Sequence, residues 1–412
     1  MTSDRLLLLL PKLRFLRFRD CEKWRRRKLG DVIARGKEKF DPQKSCDTPW
    51  LIELENIESK TGRILGVSKL EHQKGLKSSF RAGDVLFGKL RPYLQKFARP
   101  HFKGVCTSEI WVLRGKELVS GSFLFHLVQT ERFIQLVNIS YGSRMPRAEW
   151  KFIADSDFAI PHLDEQQKIA DCLDCLDDLI AAADRKLEAL RQHKQGLMQQ
   201  LFPQPGEAVP KLRFPEFSRA GSWKSEQIKN VARITKGKGI AKADIKSNGA
   251  IPCIRYAELY THYGEVIYNV ISSTNIPKKN LILSRAEDVI IPASGETKSD
   301  ISKAACVLDE GVALGSDLNI LRSDLYGPFL SYLLNSSLRD RITRVAQGDT
   351  VAHLYPKQIS QIWLDYPSRI EQKKIVDFLD SMDGIIAASG RKIEVLRQHK
   401  QGLMQQLFPF EN

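Results

Sequence analysis

Apolar residues at Ile169, Leu173, Leu176, Ile180, Ala183, Leu187, Leu190, Leu197 and Leu201 follow alternating steps of four and three, with Lys194 at the one missed step. The same steps return at Ile375, Leu379, Met382, Ile386, Ser389, Ile393, Leu396, Leu403 and Leu407, with Lys400 in the equivalent place. A sustained seven-residue repeat is the seam of a coiled coil. The pattern predicts two long helices, over 164–203 and 370–412. From near Glu165 to Leu201 the first is roughly 55 Å long at about 1.5 Å per residue. Pro203, Pro205 and Gly206 stop the first, and Phe408 and Pro409 close the second. Two stripes in one chain lose less entropy by pairing with each other than with partners in trans. Leu173, Leu176, Ile180, Leu187 and Leu190 are therefore expected to pack against Leu379, Met382, Ile386, Ile393 and Leu396. Lys194 and Lys400 are either register devices that break the seam or places where the helices diverge and offer a face to another subunit, and divergence is the preferred reading.

The two helices are copies of one segment. Residues 165–203 return 206 positions later at 371–409, and RQHKQGLMQQLFP is identical in both. Each copy follows a block, 1–163 or 204–369, and the blocks match only in scattered places. Trp24 with Lys28-Leu29-Gly30-Asp31-Val32 is echoed by Trp223 with Gln227-Ile228-Lys229-Asn230-Val231. Residues 84–87 and 108–114 answer 288–291 and 316–322, and all four are short, β-branched and bounded by Gly, Asp or Ser, as strands are. Helical stretches with Phe123, Leu124, Leu127 and Val128, or Phe329, Leu330, Leu333 and Leu334, follow. Each block is thus predicted to be a mixed α/β module ending in a lever-like helix, and the whole chain a pseudo-two-fold repeat.

Between these anchors the blocks differ: FGKLRPYLQKFARP at 87–100 stands where the second has IPASGETKSDISKA at 291–304. Modules that share a scaffold and differ in their loops suit recognition of two different things. The chain is 412 residues long with a net charge of +15, which favours a polyanionic partner, nucleic acid first. Lys89, Arg91, Tyr93 and Lys96 suit a DNA-facing loop, since Lys and Arg reach phosphates and guanine edges while Tyr stacks. Loop position and charge add Arg144 and Arg147 in the first block, and Lys236, Lys238, Lys298 and Thr350 in the second.

No window approaches 18 consecutive apolar residues, so no membrane span is expected. Leu6 to Leu10 is too short for the apolar part of a signal peptide. Seven cysteines without disulfide-like spacing suit a reducing cytoplasm. Cys172 and Cys175 form a CxxC, but the other copy has Phe378 and Ser381 there, which abolishes a ligand set. His193 and His399 stand in polar runs without ligand-spaced neighbours.

Enzymatic motifs are missing. There is no Asn/Asp-Pro-Pro-aromatic tetrapeptide and no glycine-rich cofactor loop, as a methyltransferase carries, and no GxxxxGK[ST] phosphate loop. The best nuclease candidate is Asp288 with Glu296-Thr297-Lys298, a pattern able to hold a divalent cation. A stand-alone metal-dependent nuclease and a coiled-coil adaptor whose basic charge is incidental are the two rival readings.

Two divergent modules, each closed by a near-identical helix beginning at a Pro-x-x-x-Glu-Gln junction (Pro161 to Gln166, Pro367 to Gln372), resemble the specificity subunit of type I restriction-modification systems. The PKLRF openings at 11 and 210 and the GLMQQLFP endings at 196–203 and 402–409 belong to the same resemblance. It implies two target-recognition domains, 1–163 and 204–369, each reading half of a bipartite asymmetric site in double-stranded DNA, with the antiparallel helices fixing the gap. It implies a non-catalytic chain that binds no cofactor itself. Two modification subunits would supply S-adenosylmethionine and adenine methylation, and restriction subunits would supply ATP- and Mg-dependent translocation and cleavage. The repeated Arg191, His193 and Lys194, with Arg397, His399 and Lys400, are the expected docking surface, because two identical partners need two equivalent sites.

Overall fold

The computed structural model describes residues 10–44, 47–70, 75–139, 145–204, 206–348 and 351–409. Both heptad stretches are continuous helices, Leu163–Leu201 and Arg369–Leu407, here called the central and distal helices. The chain packs as two units, residues 1–184 with 391–412 and residues 185–390. The units do not follow the module and helix boundaries read from the sequence. Each takes in one module together with half of each helix.

In the first unit Arg397 reaches the Asp184 carboxylate at 3.1 Å and Lys400 reaches Asp177 at 2.7 Å. The two helix segments therefore run antiparallel. In the second, Lys194 lies 2.6 Å from Asp383 and 2.8 Å from Glu265. Leu173 and Leu379 are buried, as are Leu187 and Ile393, while Leu176, Ile180, Leu190, Met382, Ile386 and Leu396 are half-buried. The missed heptad steps are thus not points of divergence. A cation on a buried seam has to be met by carboxylates, and both lysines are.

In the first unit a four-stranded antiparallel sheet has the order Ile33–Arg35, Ile110–Gly115, Val85–Gly88, Phe97–Ala98. A second sheet runs Lys39–Phe40, Lys77–Phe80, Gly104–Cys106, Leu51–Ile52, the last pair parallel. The second unit enlarges the first sheet to five strands: Ala232–Lys236, Leu318–Ser323, Asp288–Pro292, Ala305–Val307, Val266–Ile267. Its other sheet runs Ile245–Lys246, Ser272–Thr274, Ile251–Ile254, Ala313–Leu314. A ribbon closes each module, Arg25–Lys28 on Asp157–Ile160 and Lys224–Gln227 on Trp363–Tyr366. The strands expected at 84–87, 108–114, 288–291 and 316–322 lie inside the first-named sheet of each unit, where consecutive residues are buried because both faces of the sheet are covered.

The motifs that mark the repeat hold module to helix. Trp24, Phe123 and Phe408 pack edge to face or tilted, with ring centroids 5.3 to 6.4 Å apart. Trp223, Phe329 and Phe202 do the same at 5.6 to 6.4 Å. The LFP endings are therefore core, and Met198, Leu201, Phe202, Leu407 and Phe408 are buried. Part of the identity expected to mark an outward docking surface is explained by packing.

Arg14 and Arg213, the arginines of the PKLRF openings, clasp Glu165 and Glu371 at 2.7 to 2.8 Å through two nitrogens each. Both glutamates are buried. The neighbouring glutamines complete the junction: Gln166 accepts from Ser120 N and donates to the carbonyls of Leu118 and Pro161. Gln372 accepts from Tyr326 N and donates to Pro367 O. Paired bonds to a buried charge are the strong kind, so the Glu-Gln junction is a structural clamp.

Candidate nucleic-acid interface

In the first unit the segments on either side of residues 88–96 and 146–148 are tied into a short ladder. Leu90 bridges Arg147, Arg91 N donates to Pro146 O at 2.8 Å, and Ala148 N donates to Lys89 O at 2.9 Å. A single turn of 3-10 helix, Pro92–Leu94, projects from it between two residues in the left-handed region, Arg91 at φ 50° and Gln95 at φ 49°. Pro92 supplies the fixed φ that starts the turn. Arg91 and Tyr93 are exposed and Lys89 is half-buried. Arg147 stays half-exposed while its Nε donates to Glu109 at 3.0 Å.

Lys96 is a correction. Its Nζ donates to the Leu54 carbonyl at 2.6 Å in a half-buried setting, so it fastens the loop and does not face outward. Arg144 lies outside the described residues, and so does Thr350.

The second unit has an equivalent ladder, Ser294–Gly295 on Ala352–His353, made of different residues. Lys236, Lys238 and Lys298 are exposed on its module. Lys236 Nζ stands 5.5 Å from the ring centre of Tyr355, a cation-π contact. His353 stacks on the same tyrosine, centroids 6.1 Å apart and planes within 20°. His353 and Tyr355 escaped the sequence reading, since neither sits in a basic run. The alternation Ala352, Leu354 in and His353, Tyr355 out was the available signal.

The nuclease candidate does not assemble. Asp288 is buried, bonded by Arg285 N at 2.9 Å and by Arg322 Nε at 3.1 and 3.2 Å. Asp84 makes the same pair with Arg114 at 2.8 Å in the first unit. A carboxylate held by arginine in both modules is a sheet-end brace, and Glu296 and Lys298 lie exposed beyond it. Burial pushes the Asp288 carboxyl up, against the pull of Arg285 and Arg322, which does not suit a cation ligand. Cys172 and Cys175 are free thiols.

One group among the described residues has the spacing for a metal ion, His126, Asp174 and Asp177. Its charges are already met. His126 Nε2 lies 2.7 Å from Asp174, Arg99 reaches Asp174 at 2.9 Å, and Lys400 holds Asp177. Burial works against the Asp174 carboxylate, but His126 and Arg99 outweigh it and hold it down to about 2. Burial pushes the His126 imidazole down despite Asp174. The second unit places Tyr332 where the first has His126, and its hydroxyl donates to Asp383 at 2.5 Å.

This network also corrects the docking surface. Lys194 is buried, and its ammonium is held above its ordinary range by Glu265 and Asp383 in spite of burial. Lys400 is half-buried against Asp177 and Gln129. Both lysines serve the seam. Arg191, His193, Arg397 and His399 remain exposed.

Two equivalent α/β modules, each braced on segments of the two long helices, carry unlike loops on a shared scaffold, as a protein that recognises two different targets would. The sequence matches the type I restriction modification DNA specificity domain over residues 21–192 and again over 221–398, and the chain belongs to that family. The type I restriction enzyme MjaVIII specificity subunit of Methanocaldococcus jannaschii is 22% identical over 79% of this chain and 75% of its own length. The EcoDI specificity subunit of Escherichia coli is 28% identical over 30% of this chain and 28% of its own.

Two solved structures share the fold. One, from a study of complex assembly and conformational transition of the type I restriction-modification system, aligns with a TM-score of 0.60 at 21% identity. It covers 94% of this chain and 97% of that one. The type I S subunit of M. genitalium aligns at 0.56 with 14% identity, covering 98% and 100%. Among the described residues no helix is long and apolar enough to cross a membrane.

Proposed function

We propose that this DNA specificity subunit reads a bipartite, asymmetric site in double-stranded DNA, one half through each module. The observation that carries this is the contrast between scaffold and loops. The Trp-Phe-Phe cores and Arg-Glu clamps repeat, while the ladders and the residues next to them differ: Lys89, Arg91, Tyr93 and Arg147 in one unit, Lys236, His353 and Tyr355 in the other. Lys238 and Lys298 add phosphate contacts beside the second ladder. Cations on a ladder reach phosphates and base edges, and residues that differ between modules read different sequences.

The long helices set the spacing between half-sites and dock two modification subunits, with Arg191, His193, Arg397 and His399 on the docking face. The chain performs no chemistry. S-adenosylmethionine belongs to the modification subunits, which methylate adenine, and ATP and Mg belong to restriction subunits. The complex works in the cytoplasm.

Co-expression with the modification subunit encoded beside this chain, followed by single-molecule sequencing of host DNA, tests the reading. One bipartite asymmetric methyladenine motif that disappears without this chain is expected. A stable complex that leaves no such motif refutes it.

A further inference from the structure

Gln347 and the segment 351–355 are held together more closely than solvated chain requires. Gln347 and His353 exchange backbone bonds, N to O in both directions, at 2.9 and 2.7 Å. Ala352 and Leu354 are buried, which turns His353 and Tyr355 to the same outward face. Tyr355 is 44% exposed, yet it is flanked by the Lys236 ammonium and the His353 ring. Three side chains from two separated segments thus form one stacked unit.

Below it sits Asn319, on the strand Leu318–Ser323 and fully buried. Its Nδ2 donates to Leu354 O at 2.9 Å, the carbonyl between His353 and Tyr355, while its Oδ1 has no partner. A buried amide with an unpaired oxygen costs stability. The first module has Trp111 at the equivalent strand position, stacked on Phe87 and packed edge-on to Trp150. An amide where an apolar ring would fill the core is explained by the bond it makes to the outward-facing segment.

We propose that Lys236, Tyr355 and His353 determine the base preference at one base pair of the second half-site, with Asn319 as their positioning residue. The inference rests on the recognition reading above. Lys236 meets a phosphate, Tyr355 fixes the plane of the imidazole, and a His353 ring nitrogen donates to or accepts from a base edge in the major groove. Asn319 holds the carbonyl that sets the direction of both rings.

The test uses the full chain with its modification subunit and reads the methylated motif of each variant by single-molecule sequencing. His353→Ala and Tyr355→Ala are expected to make the same single base pair of one half-site degenerate, losing roughly 5- to 150-fold of discrimination there. Tyr355→Phe keeps the stack and the motif. Asn319→Leu loosens that same base pair while the complex still assembles, an outcome that mere core packing would not give. An unaltered motif in the His353→Ala, Tyr355→Ala double variant overturns the proposal. A wild-type complex that yields no bipartite motif overturns the recognition reading, and this inference with it.

Discussion

Phe202→Ala truncates the aromatic side chain just before the end of the central repeat, fully buried against Trp223 and Phe329 in the second unit. Truncating a buried phenylalanine costs about 3–5 kcal/mol, from lost transfer energy and the cavity left behind. The unit it anchors spans residues 185–390. For a body of that size each kcal/mol lowers the melting midpoint by about 2–4 °C, which gives a fall of roughly 6–20 °C. Because the chain has two units, a single unfolding free energy does not describe it. Hydrogen exchange read peptide by peptide is the assay. The strands Leu318–Ser323 and Asp288–Pro292 are expected to lose protection while Ile110–Gly115 and Val85–Gly88 keep theirs. Phe408→Ala should give the mirror result. Equal loss in both units, or no loss, would refute the assignment of each helix end to one module.

Three further outcomes follow. Glu371→Gln strips the charge that Arg213 clasps and should destabilise the second unit by about 3–5 kcal/mol, whereas replacing both partners with apolar residues should recover most of it, by denaturant titration. His126 is held below its ordinary range by burial, so the unfolded chain takes up a proton near pH 6.5 while the folded one does not. Its contribution is whole above about pH 6.5 and is lost as pH falls toward the folded value. Urea midpoints of the first unit should decline over that range, and His126→Phe should flatten the slope. Plasmid incubated with this chain and magnesium alone should stay intact, and cleavage abolished by Glu296→Ala would restore the nuclease reading.

What the sequence made legible was whatever repeats at short range. The heptad steps of 169–201 and 375–407 named the helices, and the strands at 84–87 and 288–291 followed from β-branched runs. The PKLRF opening was visible as a motif but not as a clamp, because Arg14 meets Glu165 across 151 positions. Lys194 looked like a break in the seam for the same reason: its carboxylates at 265 and 383 are remote in sequence. Lys96 drew attention by charge, and only the carbonyl of Leu54 shows that the charge is spent inside. His353 and Tyr355 lie outside any basic run, so charge along the sequence does not mark them.

The exchange of halves between helices leaves one more consequence. Leu212 N donates to Gln200 O at 2.9 Å, and Leu13 N donates to Gln406 O at the same distance. Gln200 and Leu212 are twelve positions apart on continuous chain, while Leu13 and Gln406 are remote in sequence and meet through the fold. Each opening motif thus meets a helix end across a seam, closed by continuous chain in the second unit and by noncovalent contact in the first. A gene encoding 185–412, a short linker and then 1–184 would sew that seam, open the polypeptide within the central helix and make the first unit contiguous. During synthesis of the native order, the first module emerges early but waits for Phe408 to complete its core, while the second closes on chain already made.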